Sequence, residues 1–236
     1  MSEALAAQPL LLDLGPAVKS AGFAVIDHAA IISELSALSV DGVSERAVPK
    51  RRAEFLAGRL AAKLALSALG IDAMPSRNED GSPVWPVGIT GSITHGAERA
   101  LCAVARASEV LALGIDAERL MNASASAELR ARICLAEERA LLSREIERPE
   151  HELVTLAFSA KESLYKCLFP LIGKFMDFRA ARVVAAVSQT DSAWLRGELT
   201  LELSVDWSAK LRRGQWFRAA FVASERHVET AVVVPA

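Results

Sequence analysis

The sequence predicts an α/β protein, α+β in type, made of two similar, pseudo-symmetric lobes, each a small and mainly antiparallel sheet packed on a long helix. Three observations carry this. The chain has 236 residues, enough for one large domain or two small ones with a real core. Two stretches, Pro49–Leu69 and Thr155–Pro170, keep a helical period over many residues. Each has several strand-like runs around it, and the halves divide near the strand that carries Asp116. The expected lobes are therefore residues 1–115 and 116–236, although no direct internal repeat supports the pairing.

Taken in order, Gly22–Ile26 can form a strand, and the alanine-rich piece after it is ambiguous. The helix from Pro49 repeats Leu56, Leu60 and Leu64 every four residues and ends before Gly70, which suits a helix C-terminus. Another stripe of it is basic, with Arg52, Arg59 and Lys63 nearly in line and Lys50 and Arg51 beside them. Glu54 is the only acid there, so the stripe is either a solvated face or a seat for an anion. Residues 71–86 read as a loop punctuated by Pro75, Gly81, Pro83 and Pro86, with Arg77 at its bend. Val87–Gly96 is an extended segment leading into a turn. Its glycines at 88, 91 and 96 would let a ligand approach the backbone, and Ser92, Thr94 and His95 add polar groups. Arg99–Arg106 and Val110–Glu118 are further strands. Short helices are expected near Glu128 and over Ala136–Glu147. The helix from Thr155 has Leu156, Leu164 and Leu168 on a packed face and is expected to stop at Pro170. Strand-like runs at Arg182–Val187, Glu198–Val205, Gln215–Ala223 and Val228–Val234 complete the chain.

A net charge of −2 gives no general attraction to nucleic acid or to an anionic membrane. No apolar run is long enough to span a bilayer, and the N-terminus, with Glu3 and no basic region, is a poor signal peptide. Cys102, Cys134 and Cys167 form neither a disulfide framework nor a zinc pattern, and they suit a reducing cytoplasm. There is no GxxxxGK or GxGxxG sequence, which disfavours a P-loop or dinucleotide-binding enzyme.

Acidic residues carry the chemistry. Asp116 and Glu118 end an apolar strand, and alternation puts both on one face with Ala117 on the other. Two carboxylates side by side repel, and a hard cation with oxygen ligands relieves the repulsion. The bland alternative is a strand running out into solvent. Lys161 and Glu162 are helix neighbours that point about 100° apart, so each needs a partner elsewhere. A metal-bound phosphate would suit both, as would an ordinary solvated helix face.

Together these segments become recognisable. WPxGxxGSITH (Trp85–His95), GIDxE (Gly114–Glu118) and FSAKESLYK (Phe158–Lys166) follow RRAEFLAGR (Arg51–Arg59) in order. Over roughly Pro49–Phe178 the chain resembles the 4′-phosphopantetheinyl transferases, in particular the two-lobed surfactin/enterobactin-type members. The resemblance implies transfer of the 4′-phosphopantetheine arm of coenzyme A to a serine of an acyl or peptidyl carrier protein, dependent on Mg2+ and releasing 3′,5′-ADP. It implies Asp116 and Glu162 as metal ligands, Glu118 as a third metal acid that contacts the ion directly or through water, and an active site between the lobes. Lys161 is implied as the contact to the coenzyme A phosphates. Arg51, Arg59 and His95 are implied around the 3′-phosphate, with Arg77 and Ser92 near the nucleotide. Helical phase favours Arg52 where the family register favours Arg51. Gly96 stands where Ser or Cys is common, and Arg77 replaces a lysine.

Loss of the serine proton needs a base, for which Glu162, a metal-bound water or Lys161 are the candidates. The alternative reading is a catalytically silent relative that binds coenzyme A. A generic magnesium-dependent phosphohydrolase lacks an identifiable water activator. The implied setting is a cytoplasmic monomer serving siderophore or other secondary-metabolite biosynthesis, without nucleic acid or membrane partners. Residues 120–150 adjoin the metal acids in sequence and are the expected carrier-binding surface.

Overall fold

The structure is a computed structural model and describes residues 5–36, 47–191 and 193–236. It is mixed α/β, and the chain divides into two compact units, Met1–Leu113 with Pro235–Ala236, and Gly114–Val234.

In the first unit, strand β1 (Lys19–Ala24) is followed by helix α1 (His28–Leu35), the piece that sequence left ambiguous. Asp27 caps α1 by accepting from the Ala30 N–H at 3.0 Å. Helix α2 (Pro49–Ser67) begins with proline in its first turn, where the missing N–H costs nothing. Strands β2 (Ser76–Arg77) and β3 (Pro83–Val84) form a small hairpin inside the segment expected to be loop. Strands β4 (Ile89–Gly96) and β5 (Arg99–Arg106) follow, and the sheet runs β1-β5-β4, antiparallel throughout.

The face of α2 that packs on this sheet is largely alanine: Ala53, Ala57, Ala61, Ala62 and Ala65, with Leu56 and Leu66. Small side chains let helix and sheet approach closely. The Leu56–Leu60–Leu64 repeat is not the buried line, and Leu64 is exposed. A spacing of four advances about 40° per step on a helix, so the stripe winds off the core. The same drift separates the basic residues, with Arg59 buried and Lys63 half exposed and paired to Asp72 at 3.7 Å.

Strand β6 (Val110–Arg119) leads into the second unit, followed by α3 (Ala123–Ile133), α4 (Ala136–Glu145) and α5 (Glu150–Ile172). A 3-10 turn at Phe178–Ala180 precedes β7 (Ala181–Asp191), β8 (Trp194–Leu203), β9 (Trp216–Ala223) and β10 (His227–Pro235). The sheet order is β6-β10-β9-β8-β7. Pro170 does not end α5, as sequence suggested. It sits in the last turn, where few ladder bonds remain to be lost. The terminator is Gly173 at φ 61°, whose N–H reaches the Phe169 carbonyl at 2.8 Å.

Helix α5 buries Leu153, Leu156, Ala157, Ala160, Leu164, Cys167 and Leu168. Its backbone lies directly on β6. A Cβ at Gly114 would overlap the Ser163 carbonyl oxygen and sit 2.5 Å from the Cys167 nitrogen. Glycine there is a requirement of close approach. Because Gly114 faces α5, alternation turns Asp116 and Glu118 toward it too. The three cysteines are free and buried.

Candidate active site

The second unit gathers the acids. Asp116 is 2 % exposed near the end of β6, and each carboxylate oxygen has a partner on α5. Oδ1 receives the Lys166 ammonium at 2.6 Å, and Oδ2 accepts from the Ser159 hydroxyl at 2.8 Å. Glu118 and Glu162 are half-buried beside this pair. Burial pushes the Glu118 carboxyl up from its ordinary 4.5 to about 7; the charge of Asp116 adds to the rise, Lys166 opposes it, and Glu162 adds further. Burial also raises the Glu162 carboxyl, with Lys166 opposing and Asp116 reinforcing. The three acids from β6 and α5 therefore share one electrostatic neighbourhood.

Fully ionised, three carboxylates face one ammonium, an excess of two negative charges in a part-buried site. Hard oxygen donors with that excess fit a divalent cation such as Mg2+. Among the described residues, however, no three His, Cys, Asp or Glu side chains stand as a ready-made ligand cluster. Asp116 is engaged by Lys166 and Ser159 instead.

A pH dependence follows for the metal-free protein. Because the folded state holds the Glu118 proton more tightly than the unfolded chain, this carboxyl lowers stability as pH rises from about 4.5 to about 7, with no further loss above that. In EDTA, the urea midpoint should fall across this window, and Glu118→Gln should flatten the fall. Equal profiles for the two proteins would contradict the assignment.

Lys161 does not join the acids. Its ammonium is 1 % exposed, paired with Glu138 of α4 at 2.7 Å and donating to the Ile133 carbonyl at the end of α3 at 2.7 Å. Lys161, expected at the phosphates, lies on the buried side of α5 and is engaged there with Glu138 and Ile133. The lysine facing the carboxylates is Lys166, which the sequence reading passed over. The signal was present, since Lys166 is four residues after Glu162 and shares its helix face, whereas Lys161 does not.

The first unit holds the basic residues. Arg51, Phe55 and Arg59 of α2, Arg77 of β2 and His95 of β4 line a cavity of about 150 Å³. The Arg59 guanidinium is 4 % exposed and stacks over Phe55 at 4.9 Å from the ring centroid. Its Nη1 is buried without a hydrogen-bond partner among the described residues. Burial lowers its pKa below the ordinary arginine range, with Arg77 adding to the effect. An anion in the cavity would give the buried guanidinium a counter-charge. Gly81, at φ 92°, lets the hairpin turn tightly, and a Cβ there would come within 3.0 Å of Arg77 Nη2. Glu54 is the counter-charge, 3.8 Å from both Lys50 and His95 Nδ1.

Arg51 rather than Arg52 lines this cavity. Ser92 does not. It is buried and alternates to the face of β4 opposite Ile93 and His95.

A family model described as the 4′-phosphopantetheinyl transferase N-terminal domain matches residues 39–105, and one described as the 4′-phosphopantetheinyl transferase superfamily matches residues 112–224. The chain is 36% identical over 195 residues to the 4′-phosphopantetheinyl transferase Svp of Streptomyces mobaraensis, covering 81% of this chain and 75% of that protein. It is 34% identical over 169 residues to enterobactin synthase component D of Salmonella typhimurium, covering 72% and 68%. It is also 34% identical over 181 residues to the 4′-phosphopantetheinyl transferase PptT of Mycobacterium tuberculosis, covering 72% and 76%. Paired acids behind a lysine, a cavity with an orphaned arginine, and matches over both units converge on one assignment: the chain belongs to the 4′-phosphopantetheinyl transferase family and is a transferase.

Proposed function

We propose that the protein transfers the 4′-phosphopantetheine arm of coenzyme A to a serine of an acyl or peptidyl carrier protein and releases 3′,5′-ADP. The observation that carries this reading is the electrostatic coupling of Asp116, Glu118 and Glu162 around Lys166. The serine oxygen attacks the phosphorus that bears the pantetheine arm, and the bond from that phosphorus to the bridging oxygen breaks. Asp116, Glu118 and Glu162 would hold Mg2+, which when bound neutralises charge on the pyrophosphate. Lys166 adds a mobile positive charge beside the same phosphates. Glu162 takes the serine proton as the general base. Arg51, Arg59, Arg77 and His95 take the 3′-phosphate, their convergence on one cavity being what supports that role.

The test is incubation with coenzyme A, Mg2+ and a panel of apo carriers, read by mass. A gain of one phosphopantetheine on a carrier is expected, abolished by EDTA. Tight binding of coenzyme A with no carrier modified would overturn the reading in favour of a silent binder. The relatives named enterobactin synthase component D make carriers of siderophore or other secondary-metabolite assembly the first to try.

The carrier is proposed to dock on residues 120–150, where Leu129 and Leu135 are exposed apolar residues and Arg132 is an exposed cation beside them. Replacing both leucines with serine should raise the carrier KM about tenfold, as for loss of a small apolar anchor, and leave coenzyme A affinity unchanged. The opposite pattern would place docking elsewhere. No helix among the described residues is long and apolar enough to cross a membrane.

A further inference from the structure

We infer that Ser163, Thr230 and Ser159 form a one-way chain of hydroxyl donors that fixes the Asp116 carboxylate, making Ser159 and Thr230 positioning residues; this rests on the reading of Asp116 as a metal ligand. Ser159 Oγ lies 2.8 Å from Asp116 Oδ2 and 2.9 Å from Thr230 Oγ1. Thr230 Oγ1 in turn lies 2.6 Å from Ser163 Oγ, which is also 3.0 Å from the Thr230 carbonyl oxygen. All three hydroxyl residues are fully buried.

The direction of the chain follows from counting protons. An ionised carboxylate only accepts, and each hydroxyl has one hydrogen. Ser159 gives its hydrogen to Asp116, so it must accept from Thr230. Thr230 has then used its own hydrogen and must accept from Ser163, whose single hydrogen is shared between Thr230 Oγ1 at 2.6 Å and the Thr230 carbonyl oxygen at 3.0 Å. The Thr230 and Ser159 O–H dipoles thus align toward Asp116, and the shared Ser163 hydrogen reinforces them. The chain ties α5 to β10 and ends on β6. It occupies Oδ2, while Oδ1 pairs with the partly exposed Lys166 at 2.6 Å. Packing alone does not call for hydroxyls here, because valine and alanine would fill the same space without burying polar groups.

The test measures Mn2+ affinity directly, from the EPR signal of free Mn2+ in the presence of coenzyme A, beside thermal melts. Ser159→Ala should weaken Mn2+ binding about tenfold, as for loss of a hydrogen bond to a metal ligand. Thr230→Val should weaken it in the same direction by a smaller factor, and Thr230→Ser, which keeps the hydroxyl, should restore it. Thr230→Val should add nothing once Ser159 is alanine, because it acts through Ser159. Unchanged affinity in Thr230→Val, or an additive effect in the double variant, overturns the chain. Should Thr230→Val not fold, Ser163→Ala carries the same expectation, and unchanged affinity there overturns it equally. A parent protein that binds no Mn2+ overturns the ligand reading, and the inference with it, whereas a parent that binds while its variants match it overturns the inference alone.

Discussion

Glu162→Gln should reduce carrier modification by about 10²–10⁴-fold, the range expected for loss of a general base, while the protein stays folded. The substitution keeps shape and removes one charge from a crowded acidic site. Burial and Asp116 both disfavour that charge in the metal-free protein, so thermal stability in EDTA should be equal or slightly higher. Coenzyme A binding through Arg51, Arg59 and Arg77 should persist, because those residues belong to the cavity of the first unit. Loss of turnover with retained binding is therefore the expected signature, read by the rate of carrier mass gain and by calorimetric titration of coenzyme A. Full activity in Glu162→Gln would remove Glu162 from the chemistry and leave a metal-bound water as the base.

Some of this was legible in the sequence for clear physical reasons. The long helices announce themselves by period, and the GIDxE strand by an apolar run that ends in alternating acids. The β2–β3 hairpin was not legible, because its strands are two residues each, too short for alternation to register. The buried face of α2 was misjudged because alanine is weak as a hydrophobic signal yet ideal for close packing against a sheet. The acids were found as types and spacings. Which lysine accompanies them depends on helix phase relative to β6, and that phase is set by Gly114 and the hydroxyls of α5. Glu138 was hidden for a different reason. In sequence it is one of two adjacent glutamates on a short polar helix, and nothing there marks it as buried.

That residue supports the largest stability prediction. Glu138 Oε2 accepts from the Leu135 N–H at 2.8 Å, and Oε1 accepts from the Val183 N–H at 2.8 Å and pairs with Lys161. One carboxylate therefore caps α4, holds β7 and neutralises α5, while Lys161 in turn satisfies the last turn of α3. Glu138→Ala strands the ammonium of Lys161 in the interior and orphans two backbone donors. Breaking such a pair costs about 3–5 kcal/mol, a large part of the stability of a typical domain. The urea midpoint should fall accordingly. Replacing both partners, as Glu138→Gln with Lys161→Met, removes the stranded charge and keeps one acceptor oxygen, so it should recover part of the loss. If Lys161 instead served phosphates, Lys161→Met alone would weaken coenzyme A binding with the urea midpoint unchanged. The burial of its ammonium predicts the reverse: a lower midpoint, with the coenzyme A affinity of the folded fraction intact.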